Sequence, residues 1–247
     1  MGIFAAMQDL GLITGPAIGF FLVGAIGFRR LFYVSASLAS VAFVISLFAR
    51  ERRPRPTAKR RAWSPRTDIV AIDALPIAWT ALCLGLGFGP LNAFIAIFAQ
   101  MRGIHNPGLY FTVQAMALLL ARTFAGRLAD RRGRAVAIVP GVILMALALS
   151  LLPLAHDFPH FVVSASLFGL GFGSAQPATI ALLIDRVRSE QRGLAASTYF
   201  TGFDAGISSG AFLLGVVAER WGFGMMWPVA AGCTLMGLMS LRGLSSS

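Results

Sequence analysis

Two aspartates, Asp9 and Asp204, stand near the middle of long apolar stretches of this 247-residue chain. Asp204 lies about twelve residues into its stretch, which at a rise of about 1.5 Å per residue is roughly 18 Å deep in a membrane. A charge there costs roughly 2.5–3.5 kcal/mol on an insertion scale, so a carboxyl group at that depth is suited to taking up and releasing a proton. We therefore predict that both aspartates take up and release protons. The alternative is a carboxyl group that is hydrogen-bonded between helices for packing alone.

Other side chains within the apolar stretches are candidates for lining a solute cavity: Asn92, Tyr110, Gln114, Gln176, Tyr199 and Phe203. Each of them taken singly is equally compatible with a satisfied contact between helices. His156 and His160 have a spacing that could bind a metal on a helix, but Pro159 interrupts a very short loop there. No nucleophile is paired with a base. We expect no metal, no cofactor and no enzymatic activity.

Eight apolar spans must position these residues. The chain is 57% hydrophobic and 13% charged, whereas a soluble domain is about a quarter charged. About 20 apolar residues suffice to cross a hydrocarbon core of roughly 30 Å. The sequence predicts spans near residues 3–26, 31–49, 72–99, 108–126, 136–154, 160–184, 193–217 and 224–241. The fold class is therefore all-α, a polytopic helix bundle whose first partner is the lipid bilayer.

Lysine and arginine are concentrated in alternate connections between the spans. Fifteen fall in the connections after spans two, four and six, against four in the others. This bias predicts that the crowded connections are cytoplasmic, and with an even number of spans both chain ends are cytoplasmic too. Residues 50–70 are predicted to be a basic cytoplasmic linker, because proline and charge dominate there. The net charge of +11 is thus explained by topology, and no nucleic-acid partner is expected.

An internal repeat relates the two ends of the chain. At an offset of 195 residues, Asp9, Gly11, Gly15, Gly27 and Phe28 fall on Asp204, Gly206, Gly210, Gly222 and Phe223. Spans one and two therefore resemble spans seven and eight. Parallel repeats related by an axis along the membrane normal occur in transporters. The second copy has six spans and the first shows only its last two, so four spans are expected to be missing before Met1.

The stretch GRLADRRGRA, residues 126–135, resembles the cytoplasmic signature of the major facilitator superfamily, and departs from it only at Ala135, where a basic residue is common. The stretches LYFTVQAMALLLARTFAG, GLGFGSAQPA and TYFTGFDAGISSGAFLLG are similar to bacterial efflux-type members. The resemblance covers essentially the whole chain, as helices five to twelve of a twelve-helix protein. It implies three parts: the last two helices of a truncated first half (1–49), the linker (50–70) and a six-helix second half (71–247).

The signature loop has a structural and a functional interpretation. Its residues are Gly126, Arg127, Asp130, Arg131, Gly133 and Arg134. The two glycines suit a tight turn, the arginines suit an anionic membrane surface, and Asp130 is a partner for those cations or for a helix N-terminus. The resemblance implies more, namely a latch that holds one half against the other. An ordinary positively charged turn is the alternative.

GLITGPAIGF is similar to the fifth-helix signature of antiporters in this superfamily, with Phe20 in place of a final glycine. The matching residues are Gly11, Gly15, Pro16 and Gly19. Pro16 removes a backbone donor and can kink the helix. The glycines recur every fourth residue, as do Gly202, Gly206 and Gly210, and form small-residue ridges that let helices approach closely.

These resemblances imply a multi-pass secondary transporter in the bacterial inner membrane. It would move a small-molecule substrate by alternating access, as proton-coupled efflux. The missing first half would be absent from a fragment, or would lie on another chain of a split transporter. The alternative is a non-transporting bundle with a structural or regulatory role. Substrate identity does not follow from the sequence.

Overall fold

The computed structural model describes residues 2–48, 74–104 and 106–242. Some side chains within these ranges, those of Asp9 and Pro16 among them, lie outside the description. Throughout the described ranges the regular structure is helical, as the predicted fold class requires. The predicted basic linker, 50–70, lies outside the described residues, so this assignment stays a prediction.

From α2 onward the helices follow one another with short connections. They are α1 (Gly2–Leu47), α2 (Leu75–Met101), α3 (Gly108–Arg132), α4 (Ala135–Leu151), α5 (Phe158–Arg186), α6 (Arg192–Trp221), α7 (Phe223–Leu235) and α8 (Met239–Arg242). A 3₁₀ turn extends α4 through Leu152–Leu154, and another, Met236–Leu238, joins α7 to α8. The helix α1 forms one compact unit, and the described residues from Ala74 onward form another.

Seven stretches of the described residues are long and apolar enough to cross a membrane, whereas eight spans were predicted. The difference lies in α1, where a single qualifying stretch, Phe21–Leu47, includes the non-helical residue Gly27, which lies at the boundary predicted between spans one and two. The fourth predicted span ended at residue 126, but α3 continues to Arg132. Charged residues continue that helix because arginine and aspartate at a membrane surface do not break its backbone hydrogen bonds.

Two glycines that the internal repeat pairs have the same backbone conformation. Gly27, inside α1, has φ 76° and ψ 162°, and Gly222, between α6 and α7, has φ 78° and ψ 167°. This region is accessible almost only to glycine. Each glycine lets one helix end and the next begin with a single non-helical residue between them. The repeat is thus visible in the backbone as well as in the sequence.

The most extensive helix contact in the second unit is between α2 and α6. A Cβ atom at Gly206 would lie 3.0 Å from the Gly85 Cα, and one at Gly210 would lie 2.9 Å from the Leu86 Cα. A Cβ atom at Gly202 would lie 2.8 Å from the Ala78 carbonyl oxygen. The predicted ridge on this span therefore faces a neighbouring backbone. For Gly11, Gly15 and Gly19 the same expectation stays a prediction, because α1 is described only by itself.

Small residues also bring α5 against both α3 and α4. A Cβ at Gly173 would lie 3.0 Å from Ala121 Cβ on α3, and one at Gly171 would lie 2.8 Å from the Met145 backbone nitrogen on α4. Lipid chains are as apolar as leucine, so helices in a bilayer associate through such close van der Waals packing and not through apolar burial. The glycine-rich runs of this chain are helix-packing surfaces.

The seam between α2 and α6 can be tested by adding one methyl group. We expect Gly206→Ala to lower thermal stability, since the new Cβ would meet backbone atoms that cannot move aside, and overpacking of this kind costs about 1–3 kcal/mol. Gly232→Ala is the matched control, because a Cβ there meets nothing within 4 Å. Thermal unfolding of the detergent-purified protein measures both. Equal unfolding temperatures for the two variants would contradict the seam.

Candidate functional site

Asp204 lies on the exposed face of α6, opposite the face that packs. The buried face carries Ala195, Tyr199, Phe203, Gly206, Gly210 and Leu214. The exposed face carries a polar stripe, defined here as Ser197, Thr201, Asp204 and Ser208. These four residues are spaced by four, three and four positions, which keeps them on one side of a helix. A carboxylate thus stands about 18 Å along a membrane-length helix, with hydroxyl groups above and below it.

Asp9, the residue that the repeat pairs with Asp204, lies within α1, but its side chain is outside the described residues. The same is true of the side chain of Pro16. The helical backbone runs through both positions. Their functional roles therefore stay predictions.

Tyr110 ties three helices together at the end of the bundle away from the signature loop. Its hydroxyl lies 3.2 Å from the Ser164 hydroxyl on α5, and Ser164 donates to the Ala148 carbonyl oxygen on α4 at 3.0 Å. Because Ser164 has donated its proton, Tyr110 is the donor in the first of these bonds. All three groups are buried. The observed role of Tyr110 is therefore to satisfy a buried polar chain between α3, α4 and α5.

Gln114 and Gln176 are both buried, on the facing surfaces of α3 and α5. Gln176 Oε1 accepts a hydrogen bond from the Arg122 guanidinium at 3.5 Å, across the seam between the two helices. Arg122 is thus directed to a neighbouring helix. Gln114 Oε1 has no hydrogen-bond partner among the described residues. A polar strip therefore runs within the contact of α3 with α5.

The remaining predicted cavity residues are buried or half-buried. Phe203 belongs to an aromatic cluster, with its ring 5.9 Å from those of Phe88 and Phe172. Tyr199 is fully buried, and its hydroxyl has no partner among the described residues. Asn92 is half-buried and donates to the Phe88 carbonyl oxygen at 2.9 Å, one turn earlier in α2. That any of these residues lines a solute path stays a prediction.

The signature loop is built around Arg134. Gly133 has φ 94° and ψ 153°, so it ends α3 in a conformation that suits glycine, and Arg134 directly precedes α4. The Arg134 Nε donates to Asp185 Oδ2 at 2.9 Å, and its Nη1 is paired with Asp130. The hydrogen bonds that Arg134 donates to Asp185 and then to Asp130 hold its pKa above the usual range. One guanidinium therefore joins the ends of α3 and α5 at the start of α4.

Two expectations about this loop are corrected or completed. Gly126 was assigned to the turn, but it lies inside α3, and a Cβ there would meet nothing within 4 Å. The turn needs only Gly133, because α3 continues past Gly126. Asp185 was not predicted to belong to this loop. It lies in the last turn of span six, at the same membrane face as Asp130. Arg127 and Arg131 are exposed, as expected of side chains at a membrane surface.

The described residues contain no group of three or more His, Cys, Asp or Glu side chains that could hold a metal ion. Cys83 and Cys233 are free thiols. The described helices carry an exposed carboxylate on α6, a buried polar strip between α3 and α5, and a charged loop around Arg134.

The chain is similar to named bacterial proteins over most of its length. It is 29% identical to multidrug resistance protein MdtG of Enterobacter lignolyticus over 180 residues, which is 68% of this chain and 43% of that protein. It is 28% identical to MdtG of Citrobacter koseri over 170 residues, 66% of this chain and 42% of that protein. It is 23% identical to MdtG of Escherichia coli over 235 residues, 91% of this chain and 58% of that protein. The chain thus spans about half the length of the curated relatives it matches.

A family profile extends the match to nearly the whole chain. The profile described as Major Facilitator Superfamily matches residues 1–110 and again residues 103–244. The two matches together include the signature loop, the glycine seam of α2 with α6, and the stripe that carries Asp204. The chain therefore belongs to the Major Facilitator Superfamily.

Proposed function

We propose that this chain acts in proton-coupled efflux of small drug-like molecules by alternating access, with Asp204 as a proton-carrying group. The observation that carries the proposal is the exposed stripe of α6, in which Asp204 stands at mid-depth between hydroxyl groups. A carboxylate is too costly to face lipid chains at that depth. The stripe must therefore face water, a solute or another polar surface.

We infer that the polar surface facing the stripe of α6 belongs to a companion half of the same fold. In transporters with parallel repeats, substrate and ion sites lie at the interface of the two halves, near the middle of the bilayer. The polar stripe of α6 has the depth and direction for such an interface. We infer that the transporting unit pairs the six spans of α2 to α8, in which α7 and α8 share one span, with a companion half in the same polypeptide or on another chain. Asp9, which the repeat pairs with Asp204, is the equivalent carboxylate of the first half.

Proton exchange at Asp204 gives the coupling a simple form. With the carboxyl group ionised, the stripe favours an aqueous or cation-containing cavity. With the carboxyl group protonated, the desolvation cost of closing the cavity falls, and the halves can rock past each other. A proton from one side and a drug from the other then exchange in alternation. The names of the MdtG relatives support multidrug substrates.

The signature loop serves this motion by holding three helix ends together. Arg134 joins α3, α4 and α5 through Asp130 and Asp185. Exposed ion pairs of this kind contribute at most about 1 kcal/mol each to stability. We infer that their value lies in making the three ends move as one body, so that the loop can latch against the companion half.

The distribution of arginine sets the proposed orientation. The signature loop and the chain ends are placed on the cytoplasmic side of the inner membrane, because the crowded connections carry most of the lysine and arginine. The connections between α2 and α3 and between α4 and α5 then lie outside. The multi-pass membrane character itself follows from the membrane-length helices and from the family.

Asp204→Asn tests the coupling. We expect it to abolish dye transport driven by a pH gradient in inside-out membrane vesicles from cells that produce the full polypeptide. An amide cannot carry a proton, although it keeps the size and polarity of the side chain. Ser208→Ala is the matched control on the same stripe, one turn later, and should keep most of the flux. Unchanged flux in Asp204→Asn would remove Asp204 from the coupling site. Absence of flux in the unmodified protein under every gradient would favour a non-transporting bundle.

Arg134→Gln tests the signature loop. We expect transport to fall several-fold with little change in thermal stability, since the side chain joins three helix ends through exposed pairs. Arg131→Gln removes the same charge from the same loop but leaves the Asp130 and Asp185 pairs intact. A similar loss in both variants, measured as flux per membrane-inserted protein, would mean that only the positive charge of the loop matters.

A further inference from the structure

At the end of the bundle opposite the signature loop, Arg102 connects two loops. It follows the last turn of α2, and its Nη1 lies 2.6 Å from Nδ1 of His156, in the connection between α4 and α5. Its Nη2 donates to the Pro153 carbonyl oxygen at 3.0 Å, and its guanidinium carbon lies 5.2 Å from the centre of the Phe98 ring. The Arg102 side chain is thus held by three contacts, of which only the one with His156 can change with pH.

The chemistry of this contact fixes the charge of His156. A guanidinium has only donors, so Nδ1 of His156 must accept, and its ring is neutral with the proton on Nε2. Protonation would replace the accepting lone pair with a second N–H group and set two cations side by side. Imidazole is the side chain whose charge changes between about pH 5 and pH 8. Acid therefore removes the bond.

The charged groups around His156 are consistent with loss of the bond on protonation. A cavity of about 420 Å³ borders the contact, and its charged or titratable lining residues among those described are Arg102, His156 and Asp157. Asp157 precedes α5 and makes no side-chain capping bond, so its carboxylate is available to an imidazolium. His160 is exposed in the first turn of α5. His105, in the loop after α2, lies outside the described residues.

We propose that Arg102 and His156 form an acid-released latch between the end of α2 and the connection from α4 to α5. The open form binds one more proton than the closed form, so acid favours the open form. On the proposed orientation this end faces the outside, where the pH varies. The latch itself rests on the contact geometry and does not require transport activity.

Hydrogen exchange of backbone amides tests the latch in the purified full chain. Gly103, Ile104 and Ala155 donate to Gln100, Ala99 and Leu152 carbonyl oxygens respectively, close to the contact. His156→Asn keeps an accepting oxygen near the position of Nδ1 but cannot be protonated. The two proteins are compared at the same pH because the intrinsic exchange rate of an amide itself depends on pH. We expect equal rates in the two proteins at about pH 8, and roughly tenfold faster exchange in the unmodified protein at about pH 5.

Two further variants test whether the acid effect is specific to the contact between Arg102 and His156. His160→Asn is the matched control, since it removes the neighbouring exposed imidazole, and it should exchange like the unmodified protein at each pH. Arg102→Gln should exchange rapidly at both pH values because the contact is lost. Equal rates for the unmodified protein and His156→Asn at about pH 5 would overturn the proposal. So would loss of the acid effect in His160→Asn.

Discussion

Backbone hydrogen bonding within a bilayer is the constraint on which this structure depends. Lipid chains offer no donors or acceptors, so a spanning segment must satisfy its N–H and C=O groups internally, and helices do this. Where the helix is interrupted, a neighbour supplies the partner. The 3₁₀ turn Met236–Leu238 breaks the last span, and its carbonyl oxygens accept from Trp79 at 3.3 Å and from Thr80 at 3.2 Å. At this break, side chains of α2 supply donors to carbonyl oxygens that the interrupted helix leaves without their regular partners.

Close backbone contact follows from the same constraint. Because apolar side chains gain little by leaving lipid for protein, glycine at the seams lets whole helix surfaces touch. The seam of α2 with α6 uses one face of α6 for this contact and leaves the other face for polar groups. One helix therefore anchors the bundle and presents the carboxylate. The packing of Gly206 against α2 thus fixes the direction in which Asp204 points.

Part of this arrangement could be predicted from sequence. Length and hydropathy located the membrane helices, and the repeat aligned Gly27 with Gly222, whose backbones share one conformation. Asp130 was expected to pair with the loop cations or with a helix N-terminus, and it pairs with Arg134. The partners Asp185 and Ser164 could not be predicted. Helices that are apolar all round carry no periodicity that says which face meets which neighbour. Contacts between helix ends distant in sequence depend on that choice.

The turn at Gly222 has a mechanical consequence. Only one residue separates α6 from α7, and its conformation is restricted to glycine. A one-residue connection leaves little freedom between the two helices, so a displacement of α6 along its axis also moves the start of α7. The helices α6 and α7 therefore move together and not independently. Any shift of the carboxylate-bearing helix is thereby passed to α7, which packs against α4 and α2.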